Sequence, residues 1–183
     1  MISDELKCIF LHPNKCGGKS IESALWDVTP IPGSADHRTI VEYESLYPDK
    51  TRDYFKFMFC RNPWDRLVSI YHGRKQILKV QMPSFNSFVR NFEPNESPTQ
   101  SQVLWIKSGS KYNIDFVGRF ENYENDWIHI CKELGIKKVL PHKNKSKHIH
   151  YSELYDKKLE EVVRIKYKDD IEYFEYDFLT GAK

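Results

Sequence analysis

The chain has 183 residues, a formal net charge of +2 and 40% hydrophobic residues, enough for one domain with a proper core and too short for two comfortable ones. So small a charge argues against a general nucleic-acid binder, and no apolar run approaches the roughly 20 residues of a membrane span. The opening MISDELKC is not a signal peptide, and Cys8, Cys16, Cys60 and Cys131 are scattered without a C-x-x-C pair, so a soluble, cytoplasmic protein with buried reduced thiols is the expectation.

The first element is an apolar run, Cys8 to Leu11, that reads as a strand. A turn holding Lys15, Gly17 and Gly18 follows, then a helical pattern opened by Ser20 with Ile21, Ala24 and Leu25 on one face. Strand, glycine turn and helix together aim backbone N–H groups and the positive end of a helix at one point. The two glycines let a ligand approach the backbone, so the natural guest is a phosphate-like anion. Lys15 adds a full positive charge there. Gly18-Lys19-Ser20 supplies the last three letters of G-x-x-x-x-G-K-[ST], but Pro13 stands where the first glycine belongs and cannot donate an N–H. An ordinary nucleotide-triphosphatase loop and a simple connecting turn stand beside the anion-turn reading.

Thr29 to Ser34 is a proline and glycine loop, followed by Asp36-His37-Arg38 and a short helix through Val41 and Leu46. His37, met alone, is either an exposed histidine or a base. The second strong stretch is Tyr54 to Tyr71. Phe55, Phe57 and Phe59 alternate with Lys56 and Met58 in a strand. Asn62 is then a good N-cap with Pro63 at the first helical position. On the helix Trp64, Leu67, Val68 and Tyr71 share one face, leaving Asn62, Arg66 and Ser69 toward another. Arg61 at the strand's carboxyl end is a second candidate anion site, since guanidinium grips phosphate through paired hydrogen bonds. The competing reading pairs Arg61 or Arg66 with Asp65.

Helical segments at Ser84 to Phe92 and Gln100 to Ile106 enclose a loop, Asn95 to Pro98. A third strand, Ile114 to Gly118, leads into a helix with Tyr123, Trp127, Ile130, Cys131 and Leu134 on its buried stripe and Gly135 as its stop. Ile136 to His150 carries five lysines, three histidines and no acid, either a solvated loop or a field for an anionic ligand. His142, His148 and His150 have no further ligand of the usual type nearby, so no metal is expected. A helix from about Asp156 to Lys168 and an acidic, aromatic tail, DDIEYFEYDF, close the chain.

FLHPNKCGGKSIESAL is similar to the 5′-phosphosulfate loop, H-I-P-K-[TC]-G-G-T-S-[IL], of the sulfotransferases that use 3′-phosphoadenosine 5′-phosphosulfate (PAPS). FKFMFCRNPWDRLVSIY resembles their 3′-phosphate motif, F-x-F-x-[VC]-R-N-P-[WY]-D-R-L-V-S-x-Y. The blocks from DFVGRFENYENDW through LPHKNKSKHIHYSELYD to YKDDIEYFEYDF keep the order and spacing of the carbohydrate sulfotransferase branch and its short bacterial relatives. The resemblance implies an α/β fold, a central parallel sheet flanked by helices and related to P-loop nucleotide kinases, as a single sulfotransferase domain over 1–183. It implies that Lys15, Cys16, Gly17, Gly18, Lys19 and Ser20 hold the 5′-phosphosulfate, with Lys15 at the bridging oxygen, and that Arg61 and Ser69 hold the 3′-phosphate. The loop around Lys143 to Lys147 corresponds to a segment near the nucleotide in relatives. His37 falls where several members carry a histidine, the general base in some of them. Two departures stand out: Pro13-Asn14 replaces Ile-Pro, and Lys19 replaces a small hydroxyl residue.

The expected reaction is in-line transfer of a sulfonyl group from PAPS to an acceptor hydroxyl, with Lys15 and His37 as catalytic residues and no metal. A carbohydrate acceptor follows from the resemblance. Trp105, Tyr71 and Phe85 are candidates to stack on sugar faces, and Arg74, Lys75 and Lys79 to meet an acidic chain. The alternatives are an ATP-dependent small-molecule kinase and a catalytically inactive nucleotide-binding module.

Overall fold

The computed structural model describes residues 1–26, 36–78, 82–141, 150–179 and 181–182. The loop read at Thr29 to Ser34, Lys79, and the Lys143 to Lys147 segment with His142 and His148 lie outside the described residues. In chain order the elements begin with β1 (Ile2–Ser3), β2 (Cys8–Leu11), α1 (Gly18–Trp26), α2 (Ile40–Leu46), α3 (Pro48–Asp53), β3 (Phe55–Cys60), α4 (Pro63–Leu78) and α5 (Phe85–Asn91). They continue with β4 (Lys107–Ser108), β5 (Lys111–Tyr112), β6 (Phe116–Arg119), α6 (Tyr123–Glu133), α7 (Lys157–Lys166), α8 (Lys168–Tyr173), β7 (Tyr176–Asp177) and β8 (Gly181–Ala182). The chain divides into two compact units. One comprises Met1–Cys60 with Leu104–Lys145, the other Arg61–Val103 with Ser146–Lys183.

The first unit holds a four-stranded sheet in the order β1-β2-β3-β6, antiparallel at the β1–β2 edge and parallel elsewhere. Alternation along the strands sends Cys8, Phe10, Phe57 and Phe59 to one face, where they pack with Ile21, Ala24 and Leu25 of α1 and Trp127, Ile130 and Cys131 of α6. Ile9, Leu11, Met58 and Cys60, facing the other way, are equally buried. A sheet closed on both faces explains the nearly continuous apolar runs of its central strands. Lys56 interrupts that run in sequence yet is buried, because its ammonium pairs with Asp115 at 2.8 Å. Trp127 Nε1 donates to the Lys138 carbonyl at 2.8 Å, and Gly135, at φ +65°, stops α6 as its sequence position implied.

In the second unit α4 is buried on more than the one expected face. Trp64, Leu67 and Val68 are inside, and so is Arg66, whose Nη2 donates to the carbonyls of Pro98 and Gln100. Trp64 Nε1 donates to the Glu160 carbonyl on α7, and Tyr155 donates to the Trp64 carbonyl. Asn62 caps α4 as expected, its Oδ1 accepting from the N–H groups of Trp64 and Asp65 at 3.0 and 3.3 Å.

Several boundaries differ from the sequence reading. The first helix opens at Gly18 rather than Ser20, and the third strand runs Phe116–Arg119. The helix expected from Asp156 to Lys168 stops at Lys166. Asp156 is its N-cap, and a second helix from Lys168 takes up the first half of the acidic tail. All four cysteines are buried and none is in a disulfide. Among the described residues no helix is long and apolar enough to cross a membrane.

Candidate active site

In the first unit the turn after β2 is wound around one histidine. His12 is 4% exposed and its ring stacks on Phe10, centroids 5.3 Å apart. It lies along the first turn of α1. A methyl group on Gly18 would fall 1.8 Å from His12 Nε2, while one turn later the buried Glu22 meets His12 Nδ1 with its Oε1 at 3.0 Å. Gly18 and Glu22, four residues apart on a helix, share the face that the ring covers. Burial lowers the pKa of His12, against the raising effect of Glu22. Burial also pushes Glu22 upward, but the His12 hydrogen bond and the positive groups around the carboxyl more than offset it, so it sits below its ordinary value. His12 is therefore a neutral imidazole whose Nδ1–H donates to a carboxylate.

Gly17 has φ +86° and Lys15 φ +67°. This left-handed backbone suits glycine, and it carries the Lys15 side chain into solvent. The space a Cβ would fill at Gly17 is occupied by Tyr123 of α6, whose hydroxyl donates to the Gly17 carbonyl at 2.6 Å. Burial raises the Tyr123 hydroxyl well above its usual range, against a hydrogen bond with the Ser20 side chain. Both glycines are thus required by protein side chains packed against the turn, a reason distinct from the close ligand approach inferred from sequence. Cys16 is buried, with its Sγ toward the Asn14 carbonyl. Lys19 is exposed, and Ser20 is 6% exposed.

His37 is exposed, and its Nδ1 lies 2.7 Å from the His12 carbonyl. A carbonyl only accepts, so Nδ1 carries the proton and the lone pair of neutral His37 is on Nε2. The two imidazoles are 4.7 Å apart.

In the second unit Arg61 is 7% exposed and pairs with Asp65, Nε and Nη2 reaching the same Oδ2 at 2.9 and 2.8 Å. The ion-pair reading of Arg61 is therefore met. Its backbone is clamped by Gln102: the Arg61 N–H donates to Gln102 Oε1 at 2.8 Å, and Gln102 Nε2 donates to the Arg61 carbonyl at 2.9 Å. Asp170, fully buried, accepts in turn from the N–H groups of Gln102 and Val103 and from the Ser101 hydroxyl. Ser69 lies on α4, half-buried.

Tyr71 donates to the Pro83 carbonyl and meets Phe85 edge to face at 5.3 Å. Trp105 is 1% exposed, so it is a core residue and does not offer a face to a sugar. His150 caps a short 3-10 turn through Ser152. Among the described residues no cluster of three metal-ligating side chains occurs.

The family model described as "Sulfotransferase family" matches residues 1–177. The chain belongs to the sulfotransferase family. It is also 32% identical over 87 residues to an uncharacterized protein of Archaeoglobus fulgidus, an alignment covering 48% of this chain and 72% of that one. Family membership implies a transferase, and it gives the strand–turn–helix around His12 and the α/β sheet behind it a common meaning. The sequence reading gives no role to His12, Glu22 or Gln102 and reads Tyr123 only as part of the buried stripe of α6, where it does pack. His12 stands inside the first motif and Glu22 four residues after Gly18, but a glutamate on an amphipathic helix reads as a solvated residue until its partner is seen.

Proposed function

We propose that this sulfotransferase moves a sulfonyl group from PAPS to the hydroxyl of a carbohydrate acceptor, and that residues 1–183 act as one catalytic domain of the kind related to P-loop kinases. The observation that carries this reading is the turn at the head of α1. Two exposed lysines, Lys15 and Lys19, flank the start of a nine-residue helix, whose first amides have no carbonyl four residues earlier to bond, though the Ser20 N–H is taken up by the Gly17 carbonyl at 3.0 Å. That donor set fits a phosphosulfate. The resemblance adds Arg61 and Ser69 for the 3′-phosphate, and the four buried thiols suit a reducing, cytoplasmic setting.

In this reading the acceptor oxygen forms its bond to sulfur as the bond from sulfur to the bridging oxygen breaks. His37 Nε2 takes the hydroxyl proton, and Lys15 meets the charge left on the bridging oxygen. No residue of the chain is modified in the cycle.

The test is calorimetric titration with 3′,5′-adenosine bisphosphate beside 5′-AMP and ATP, without added metal. Tight binding that needs the 3′-phosphate and weakens on the order of tenfold or more in Arg61→Ala is expected, since a charge-assisted contact is worth about 1.5–3 kcal/mol. Preference for ATP with magnesium would favour a kinase, and unaltered affinity in Arg61→Ala would remove the assignment of the second motif.

A further inference from the structure

Glu22 and His12, which meet along the first turn of α1, and His37, which no motif joins to them, form a line within the first unit. Glu22 accepts from His12 Nδ1 at 3.0 Å, and the His12 carbonyl accepts from His37 Nδ1 at 2.7 Å. The two rings lie 4.7 Å apart at 48°. His12 has little freedom. Phe10 stacks on it, Gly18 lies against its Nε2, and Glu22 holds the remaining nitrogen. We propose that Glu22 and His12 are positioning residues for His37: Glu22 locks the His12 ring, and His12 fixes both the orientation and the tautomer of His37, leaving Nε2 as the basic atom.

This inference rests on the reading of His37 as the base. When His37 takes the acceptor's proton it becomes an imidazolium, and the site gains one positive charge. Burial, aided by the positive charge of His37, lowers the pKa of His12, while the Glu22 carboxylate and His37 act on each other through charge. The buried carboxylate thus favours the protonated product of the proton transfer without touching substrate. Among the described residues the other charged and titratable groups of this corner are the Met1 amine, which acts on both His12 and Glu22 and pairs with Asp36; Asp36, which also pairs with Arg38; and Tyr43, which donates to Asp36 at 2.8 Å. Glu22→Gln leaves all of these in place. It also keeps a side-chain carbonyl able to accept from His12, so it removes charge and retains shape.

The experiment is long-range ¹H–¹⁵N NMR of the histidine rings in the wild-type chain and in Glu22→Gln, titrated from pH 8 to pH 5. Wild-type His37 is expected to be protonated at Nδ1 when neutral, with His12 protonated at Nδ1 and staying neutral into the acid range. In Glu22→Gln the His37 midpoint should move to lower pH, as loss of an opposite charge requires. With PAPS and an acceptor, the acid limb of the kcat profile should shift the same way. The plateau should fall about tenfold or more while KM for the donor changes little. A wild-type His37 carrying its proton on Nε2, or a midpoint unmoved by Glu22→Gln, would overturn the proposal. A purely structural Glu22 would lower the melting temperature and leave that midpoint in place. Where the variant fails to fold, a wild-type His12 that does not carry its proton on Nδ1 would still overturn the lock by Glu22. Since the ring titrations need neither donor nor acceptor, their outcome is separate from that of the adenosine bisphosphate titration: a chain that binds no 3′,5′-adenosine bisphosphate but shows the shift keeps the linkage and loses the sulfonyl-transfer reading.

Discussion

A methyl group at Gly18 would lie 1.8 Å from His12 Nε2, and the ring has nowhere to go, because Phe10 covers its face and Glu22 holds its other nitrogen. Gly18→Ala is therefore expected to destabilise the fold by about 1–3 kcal/mol, the usual penalty for forcing atoms into a packed site. For a chain of this size that corresponds to a fall of roughly 3–10 °C in melting temperature, read by differential scanning calorimetry. An unchanged melting temperature would mean that the ring is looser than its three contacts imply. Ordinary helix propensity points the other way, since alanine is the better helix former by about 1 kcal/mol. The sign of the change thus separates local propensity from tertiary contact.

At the level of elements, both strand–turn–helix units were legible because each carries its own punctuation. Two glycines and a lysine mark the first, and Asn62-Pro63 marks the second at positions where capping chemistry allows little else. The aromatic alternation of Phe55, Phe57 and Phe59 gave β3 directly. The two-residue strands were not legible, because β1, β4, β5, β7 and β8 are too short to show any period. Nor was the support beneath Arg61, which comes from residues distant in sequence. Gln102 gives both its amide atoms to the Arg61 backbone, and Asp170 holds Gln102 by its N–H. Gln102→Leu keeps the volume and takes away both bonds. Two buried main-chain groups then lose a partner, and at about 1–3 kcal/mol for each the loss should be about 2–6 kcal/mol in urea denaturation. Affinity for 3′,5′-adenosine bisphosphate should weaken with it. A variant as stable as the parent would show that the clamp contributes geometry without energy.

The whole molecule carries almost balanced charge, with 28 basic and 26 acidic residues, so its response to acid is governed by particular buried groups more than by general repulsion. His12 has an ordinary value of 6.5 that burial lowers in the fold. Between the lowered and the ordinary value the unfolded chain binds more protons than the folded one, so stability falls as pH drops through 6.5. Glu22 acts in the same direction below its ordinary 4.5. Asp170 opposes them, because its complete burial raises its carboxyl above 3.8, against its hydrogen bonds, and favours the fold at the acid side of its own window. A single pH profile of the wild-type chain mixes these signs. Comparison with His12→Gln separates them, since the variant keeps Asp170 and loses the imidazole. At pH 8 the neutral His12 is fully engaged with Glu22, and the wild type should be the more stable by a clear margin. On acidification to pH 5 that margin should shrink, as wild-type His12 is either forced to stay neutral at increasing cost or charged in a buried site beside α1. Calorimetric melts of the two chains at pH 8, 6.5 and 5 measure it directly. A margin independent of pH would mean that His12 titrates alike in the folded and unfolded chains, and that Glu22 does not hold a neutral imidazole.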